Sequence, residues 1–132
     1  MATQLIMCVN DDVAILDLIR DLLEDEGYRG EICREGTKAH GMIVKRMPDL
    51  VLLDMRMEHP DSGLKVIETM RLDPRTTNIP VLVCTADHTF TRENSEHLRA
   101  QGYATLEKPF ALDALLDKVR EMIGPPTDDG KR

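Results

Sequence analysis

At 132 residues the chain fits one domain, long enough to bury about two-thirds of its unfolded surface in a single core. Charged residues at 31% and hydrophobic residues at 42% give a soluble balance, and no apolar stretch approaches the length of a membrane span. A net charge of −7 with no offsetting cluster of Lys and Arg argues against a nucleic-acid partner, and the absence of a charged leader and apolar core after Met1 points to the cytoplasm.

The first apolar run, Gln4 to Val9, reads as a buried strand stopped by Asn10-Asp11-Asp12. From Val13 to Glu26 the apolar positions Ile15, Leu18, Ile19, Leu22 and Leu23 recur at threes and fours. They predict a helix that Asp12 can cap and Gly27 can end. Gly30 to Cys33 is a weak second strand, and Thr37 to Arg46 a second helix, with Ala39, Met42, Ile43 and Met47, ended by Pro48. The short apolar run Leu50-Val51-Leu52-Leu53 reads as a strand buried on both faces, and it stops at a carboxylate, Asp54. A third helix starts at Gly63 or Leu64, carries Leu64, Ile67 and Met70, and closes at Asp73-Pro74.

Ile79 to Cys84 is a fourth strand, ended by Thr85-Ala86-Asp87. A polar helix is expected over Arg92 to Gln101, then a minimal strand, Ala104-Thr105-Leu106, followed by Lys108-Pro109. Leu112 to Ile123 has the most regular stripe, Leu112, Leu115, Leu116, Val119, Met122 and Ile123. Residues 1–124 therefore make one domain, and 125–132 a polar tail expected to be mobile. The three cysteines, Cys8, Cys33 and Cys84, stand singly in strand-like runs and read as core fillers. The four histidines show neither metal nor triad spacing and read as surface or loop residues.

Five strands alternating with five helices predict an α/β fold, a flavodoxin-like (βα)5 three-layer sandwich with a parallel sheet in the order 2-1-3-4-5. In that order strands one and three are neighbours at the switch point, where ligands sit beyond the carboxyl ends of the strands. The order would bring Asn10, Asp11 and Asp12 toward Asp54, with Thr85 and Lys108 arriving from strands four and five. Taken alone, Asp54 could equally start a turn.

These pieces carry a resemblance. VNDD after strand one, LLD after strand three, VCTAD after strand four and LEKPF after strand five are similar to the receiver domain of two-component response regulators, most closely its stand-alone form, over about residues 4 to 123. The resemblance implies that Asp54 accepts a phosphoryl group from a sensor histidine kinase or a histidine phosphotransfer protein. It implies that Asp11, Asp54 and the backbone carbonyl of Arg56 hold Mg²⁺, with Asn10 contributing weakly or through water. Lys108 would pair with a phosphoryl oxygen, Thr85 would bond it after transfer, and Ala86 would leave room for it. Pro109 matches a position where the family's peptide bond is usually cis. The chemistry is coherent in itself: phosphoryl transfer to a carboxylate needs a nucleophile, a hard cation and fixed donors for the phosphoryl oxygens. Output would pass to a downstream protein effector through the fourth helix, fifth strand and fifth helix, the receiver being a phosphoacceptor and not an enzyme.

Three departures stand out. Asn10 replaces the first of the family's two acids, so Mg²⁺ affinity should fall. Glu58 stands where the family has a proline, in a loop from Met57 to Gly63 that looks one residue longer. Thr105 occupies the place of the inward-turning aromatic, with Tyr103 two positions away. Arg56 and Asp87, two residues beyond the acceptor and the threonine, could pair across the mouth and slow hydrolysis. The alternative function is a receiver-like interaction module that is not phosphorylated, favoured by Asn10 and the altered loop. A phosphatase of the haloacid dehalogenase type would need a second Asp two residues after the first, where this chain has Arg56.

Overall fold

The computed structural model describes residues 3–55, 62–86, 93, 96, 98–100, 102–108 and 111–126. Five strands, β1 (Leu5–Val9), β2 (Arg29–Cys33), β3 (Leu50–Asp54), β4 (Val81–Thr85) and β5 (Tyr103–Glu107), form one sheet in the order β2-β1-β3-β4-β5. Every pairing is parallel. The helices are α1 (Val13–Glu26), α2 (Gly36–Arg46), α3 (Ser62–Leu72), α4, helical at its described residues 93, 96 and 98–100, and α5 (Leu112–Ile123). The sheet order is the one the alternating pattern predicts.

Because side chains alternate along a strand, the sheet makes two cores. Met7, Val9, Val51, Leu53, Val81 and Val83 face Ile43 of α2, Ile67 and Met70 of α3 and Leu98 of α4. Ile6, Cys8, Leu52, Leu82 and Cys84 face Leu16 and Leu23 of α1 and Leu115 and Val119 of α5. Each fully buried Leu or Val contributes about 1.5–3 kcal/mol relative to exposure. All three cysteines are buried free thiols. Burial pushes Cys8 and Cys84 up to about 12, which keeps them protonated and unreactive at neutral pH.

Helix α1 is tied at both ends by its own sequence. The Asp12 carboxylate accepts from the N–H groups of Ala14 and Ile15, and Gly27, at φ 110°, lets the last carbonyls bond back to the Gly27 and Tyr28 amides. Its apolar stripe differs from the predicted one. Leu16 and Leu23 are buried, whereas Leu18 is 53% exposed and Ile15 39%. The helix carries more apolar side chains than one face can cover, and the surplus lies at its N-terminal half, beside the carboxyl ends of the strands. Leu64 of α3 is likewise exposed, Val66 taking the core position expected of it. Met47 ends α2 in the left-handed region, φ 49°, because Pro48 forbids a further helical residue before it.

The other boundaries shift by one or two residues. α3 begins at Ser62, β4 extends through Thr85, and β5 runs two residues longer than its apolar centre. His40 lies within α2, partly buried, its Nε2 3.0 Å from Asp73 Oδ2, not on a loop. The bidentate Arg75 guanidinium, with a smaller effect from His40, holds Asp73 down to about 2. His59, His88 and His97 lie outside the described residues, as do residues 127–132 of the predicted tail.

The end of α5 is anchored to the opposite end of the sheet. The Tyr28 hydroxyl donates to the Gly124 carbonyl at 2.7 Å, and Gln4 Nε2 donates to the Pro125 carbonyl at 2.9 Å. Tyr28→Phe keeps the ring in the core and leaves the carbonyl short of a donor. Urea unfolding should show a loss of about 1 kcal/mol, and an unchanged midpoint would mean that water replaces the bond at no cost.

Candidate functional site

Three strand ends converge at the carboxyl edge of the sheet. β3 ends at Asp54, its side chain 13% exposed, and Lys108 Nζ donates to Asp54 Oδ1 at 3.0 Å. The lysine is delivered by backbone pairing, since its own N–H donates to the Thr85 carbonyl at 2.8 Å and so continues the β4–β5 ladder past the last strand residue. Thr85 is buried at 2% exposure, and Ala86 after it is exposed. β1 and β3 pair with Val9 opposite Leu53, so Asn10 and Asp54 are the next residues on neighbouring strands. The ion pair with Lys108 accounts for a carboxylate that is only 13% exposed at the end of β3.

Asn10 is 8% exposed; its N–H donates to the Cys33 carbonyl at 3.1 Å, and its Oδ1 accepts from the Asp12 N–H at 3.0 Å. Asp11 and Asp12 are exposed in the turn between β1 and α1. Asp12 is committed to capping α1, which leaves Asp11 as the acid of that turn with its side chain toward solvent. Arg56, Glu58, Asp87 and Pro109 lie outside the described residues, so the Arg56 carbonyl, the altered loop, the Arg56–Asp87 pair and the peptide bond at Pro109 all do too. Tyr103 is 2% exposed in the core beside Leu98 and Ile79, while Thr105 above it is half-buried.

Asn10, Asp54, Ala86 and Lys108 form the polar end of a cavity of about 410 Å³, whose other walls are apolar: Leu16 and Ile19 of α1, Leu52, Cys8 and Cys84 of the sheet, and Leu112 of α5. Its outer rim is the surplus apolar surface of α1 and α5, Ile15, Leu18 and Leu112. The sequence stripe hid this feature, because periodicity alone assigns Leu18 to the core. One signal was available: eight apolar residues in the first eleven of α1, more than a single core-facing stripe requires.

No three His, Cys, Asp or Glu side chains gather into a metal cluster among the described residues. The hard carboxylates available to a cation near this edge are Asp11, in the exposed turn after β1, and Asp54, at the end of β3. That set fits Mg²⁺, which keeps several of its waters and takes one or two carboxylates, and it does not fit a soft or closed-shell structural metal.

The family model described as response regulator receiver domain matches residues 6–120, from β1 into α5. The DNA-binding dual master transcriptional regulator RpaA of Synechocystis is 33% identical over 123 residues, 89% of this chain and 48% of that protein. Response regulator MprA of Mycolicibacterium vanbaalenii is 36% identical over 126 residues, 95% of this chain and 53% of that protein. The chain thus spans about half the length of these curated relatives. Among solved structures, the CheY-like receiver domain protein of Methanospirillum hungatei superposes with a TM-score of 0.77 at 28% identity, covering 92% of this chain and 94% of that one. The N-terminal domain of a response regulator receiver protein from Methanoculleus marisnigri gives 0.71 at 32% identity, covering 89% and 94%. No described helix is long and apolar enough to cross a membrane. With the family model spanning the sheet and the matching acid and lysine meeting at its carboxyl edge, the chain belongs to the response regulator receiver domains of two-component systems.

Proposed function

We propose that this receiver accepts a phosphoryl group on Asp54 from the phosphohistidine of a sensor histidine kinase or histidine phosphotransfer protein, and signals through a protein partner. The observation that carries the reading is the 3.0 Å contact between Lys108 Nζ and Asp54 Oδ1, a cation held against a carboxylate at the open end of the sheet. An Asp54 oxygen attacks the phosphorus; the P–N bond breaks, its electron pair returns to the imidazole, and an acyl phosphate forms. Lys108 and the Thr85 hydroxyl hold the phosphoryl oxygens, and Ala86 leaves space for them. Water later attacks the phosphorus, releasing phosphate and the Asp54 carboxylate, so the domain takes part in its own transfer and hydrolysis without turning over a separate substrate. Asp11, Asp54 and the Arg56 carbonyl would hold Mg²⁺, which when bound supplies positive charge against the phosphoryl oxygens.

The donor protein must bring an imidazole in line with Asp54, so its surface must rest on whatever surrounds the acceptor. That surround is the apolar rim of Ile15, Leu18 and Leu112, 39%, 53% and 39% exposed. The effector is assigned to the other side of the site, the face of α4, β5 and α5, where a charge captured by Thr85 and Lys108 biases the end of β4 and the start of the β5–α5 connection.

Incubation with acetyl phosphate and Mg²⁺ tests the reading: intact-protein mass spectrometry should show one added phosphoryl group, labile to hydroxylamine. No adduct at any donor or Mg²⁺ concentration would favour an unphosphorylated interaction module. Lys108→Ala removes the ammonium that meets both Asp54 and the incoming group. Its affinity for beryllofluoride, a phosphoryl mimic, should fall at least about tenfold, the loss of one charge-assisted bond, as read by ¹⁹F NMR. Equal affinity would show that the 3.0 Å pair has no part in holding the phosphoryl group.

A further inference from the structure

The amide of Asn10 is oriented by its neighbour. The Asp12 backbone N–H can only donate, so the arm that meets it at 3.0 Å is the Oδ1 oxygen, and the Nδ2 donor is the diverging arm. Among the described residues Nδ2 has no hydrogen-bond partner, yet it is not sealed from solvent as the unsatisfied Tyr103 Oη is. A side chain only 8% exposed that keeps an accessible, unused donor must open onto a cavity, and the cavity that Asn10 lines is the one bounded by Asp54 and Lys108.

Resting on the phosphoacceptor reading above, we propose that Asn10 is a phosphoryl-binding residue: Nδ2 donates to an oxygen of the phosphoryl group on Asp54, and this makes the phosphorylated state less dependent on a divalent cation. An acid at position 10 would present only lone pairs to a group carrying about two negative charges, and the repulsion would need a cation between them. The amide reverses that interaction at the same position. Oδ1 meanwhile holds the Asp11–Asp12 turn, so a single side chain serves the loop with one arm and the phosphoryl group with the other.

Asn10→Asp separates these functions, because it keeps an oxygen for the Asp12 N–H and exchanges the donor for a charge. Beryllofluoride affinity is measured by ¹⁹F NMR on the full chain, at saturating Mg²⁺ and in chelator, for wild type, Asn10→Asp and Asn10→Ala. ¹H–¹⁵N spectra establish that each variant is folded. Removing Mg²⁺ should weaken the wild type by about tenfold or less and Asn10→Asp by a hundredfold or more, while calorimetry shows tighter Mg²⁺ binding alone by Asn10→Asp. Asn10→Ala, lacking both donor and charge, should lose on the order of tenfold relative to wild type in chelator, the value of one bond to a charged group.

Equal Mg²⁺ dependence in wild type and Asn10→Asp overturns the proposal and leaves the phosphoacceptor reading intact. So does wild-type affinity of Asn10→Ala in chelator, a readout that serves even if Asn10→Asp fails to fold. Absence of any adduct on the wild type at saturating Mg²⁺ removes the phosphoacceptor reading and this proposal with it.

Discussion

Asp54→Asn will gain no phosphoryl group from acetyl phosphate and Mg²⁺ under conditions that phosphorylate the wild type, and it will remain folded. The first half follows from the nucleophile: an amide oxygen does not attack phosphorus at a useful rate, and nearby Thr85 is buried at 2% exposure. The second half follows from the geometry. Asn keeps an oxygen at the Oδ1 position to accept from Lys108 Nζ, and Lys108, whose side chain is 31% exposed, can complete its hydration from solvent. Exchanging a charged acceptor for a neutral one should therefore change unfolding free energy by about 1 kcal/mol or less. Phosphoryl incorporation into Asp54→Asn would put the acceptor elsewhere, and hydroxylamine would then separate an acyl phosphate on another acid from a stable ester on a hydroxyl. A variant that loses both phosphorylation and fold would show that the Asp54–Lys108 pair is structural first.

The sheet order was legible because the alternation of apolar runs and helical stripes leaves few right-handed arrangements. The candidate site was legible through Asp54, where LVLL ends at an acid, and through Lys108 two residues past a short apolar strand. What stayed hidden depends on three-dimensional packing. Nothing in the run from Val13 to Glu26 says that Leu16, and not Leu18, meets the sheet, since both fit the period and the choice rests on how α1 is rotated against Leu52 and Leu115. The bonding of Asn10 was hidden for a related reason. As a residue type it reads as an acid without its charge, whereas the structure shows an oxygen already bonded to the Asp12 N–H and a donor to spare, a difference only geometry reveals.

Gly63 is a second position whose importance only packing shows, and substituting it should cost the protein most of what any single methyl group can. It lies one residue into α3, buried, and its N–H donates to the Met55 carbonyl at 2.9 Å. A Cβ placed there would stand 2.5 Å from Met55 Cα, 2.8 Å from the Asp54 carbonyl oxygen and 2.9 Å from the Met55 carbonyl oxygen. All three are backbone atoms of the acceptor's own strand end, so no side chain can swing away. Its φ lies outside the left-handed region, so the glycine is required for space and not for conformation. Local propensity alone would make Gly63→Ala stabilising by up to about 1 kcal/mol. Overpacking against backbone opposes it with about 3 kcal/mol, the upper part of the usual range, for a net loss of about 2 kcal/mol and a fall in Tm of roughly 8 °C. Relief of the clash must come from α3 or from the segment carrying Asp54. Phosphorylation by acetyl phosphate, measured well below the new Tm, should slow by on the order of 10- to 100-fold, as for a displacement of about 1 Å at a reacting group. Gly41→Ala is the matched control: it is exposed within α2, and a Cβ there meets nothing within 4 Å. Propensity then acts unopposed, and Tm should rise by a few degrees with phosphorylation unchanged. If Gly63→Ala behaves like Gly41→Ala, α3 does not seat on the strand end, and the acceptor is held in place by Lys108 and the sheet alone.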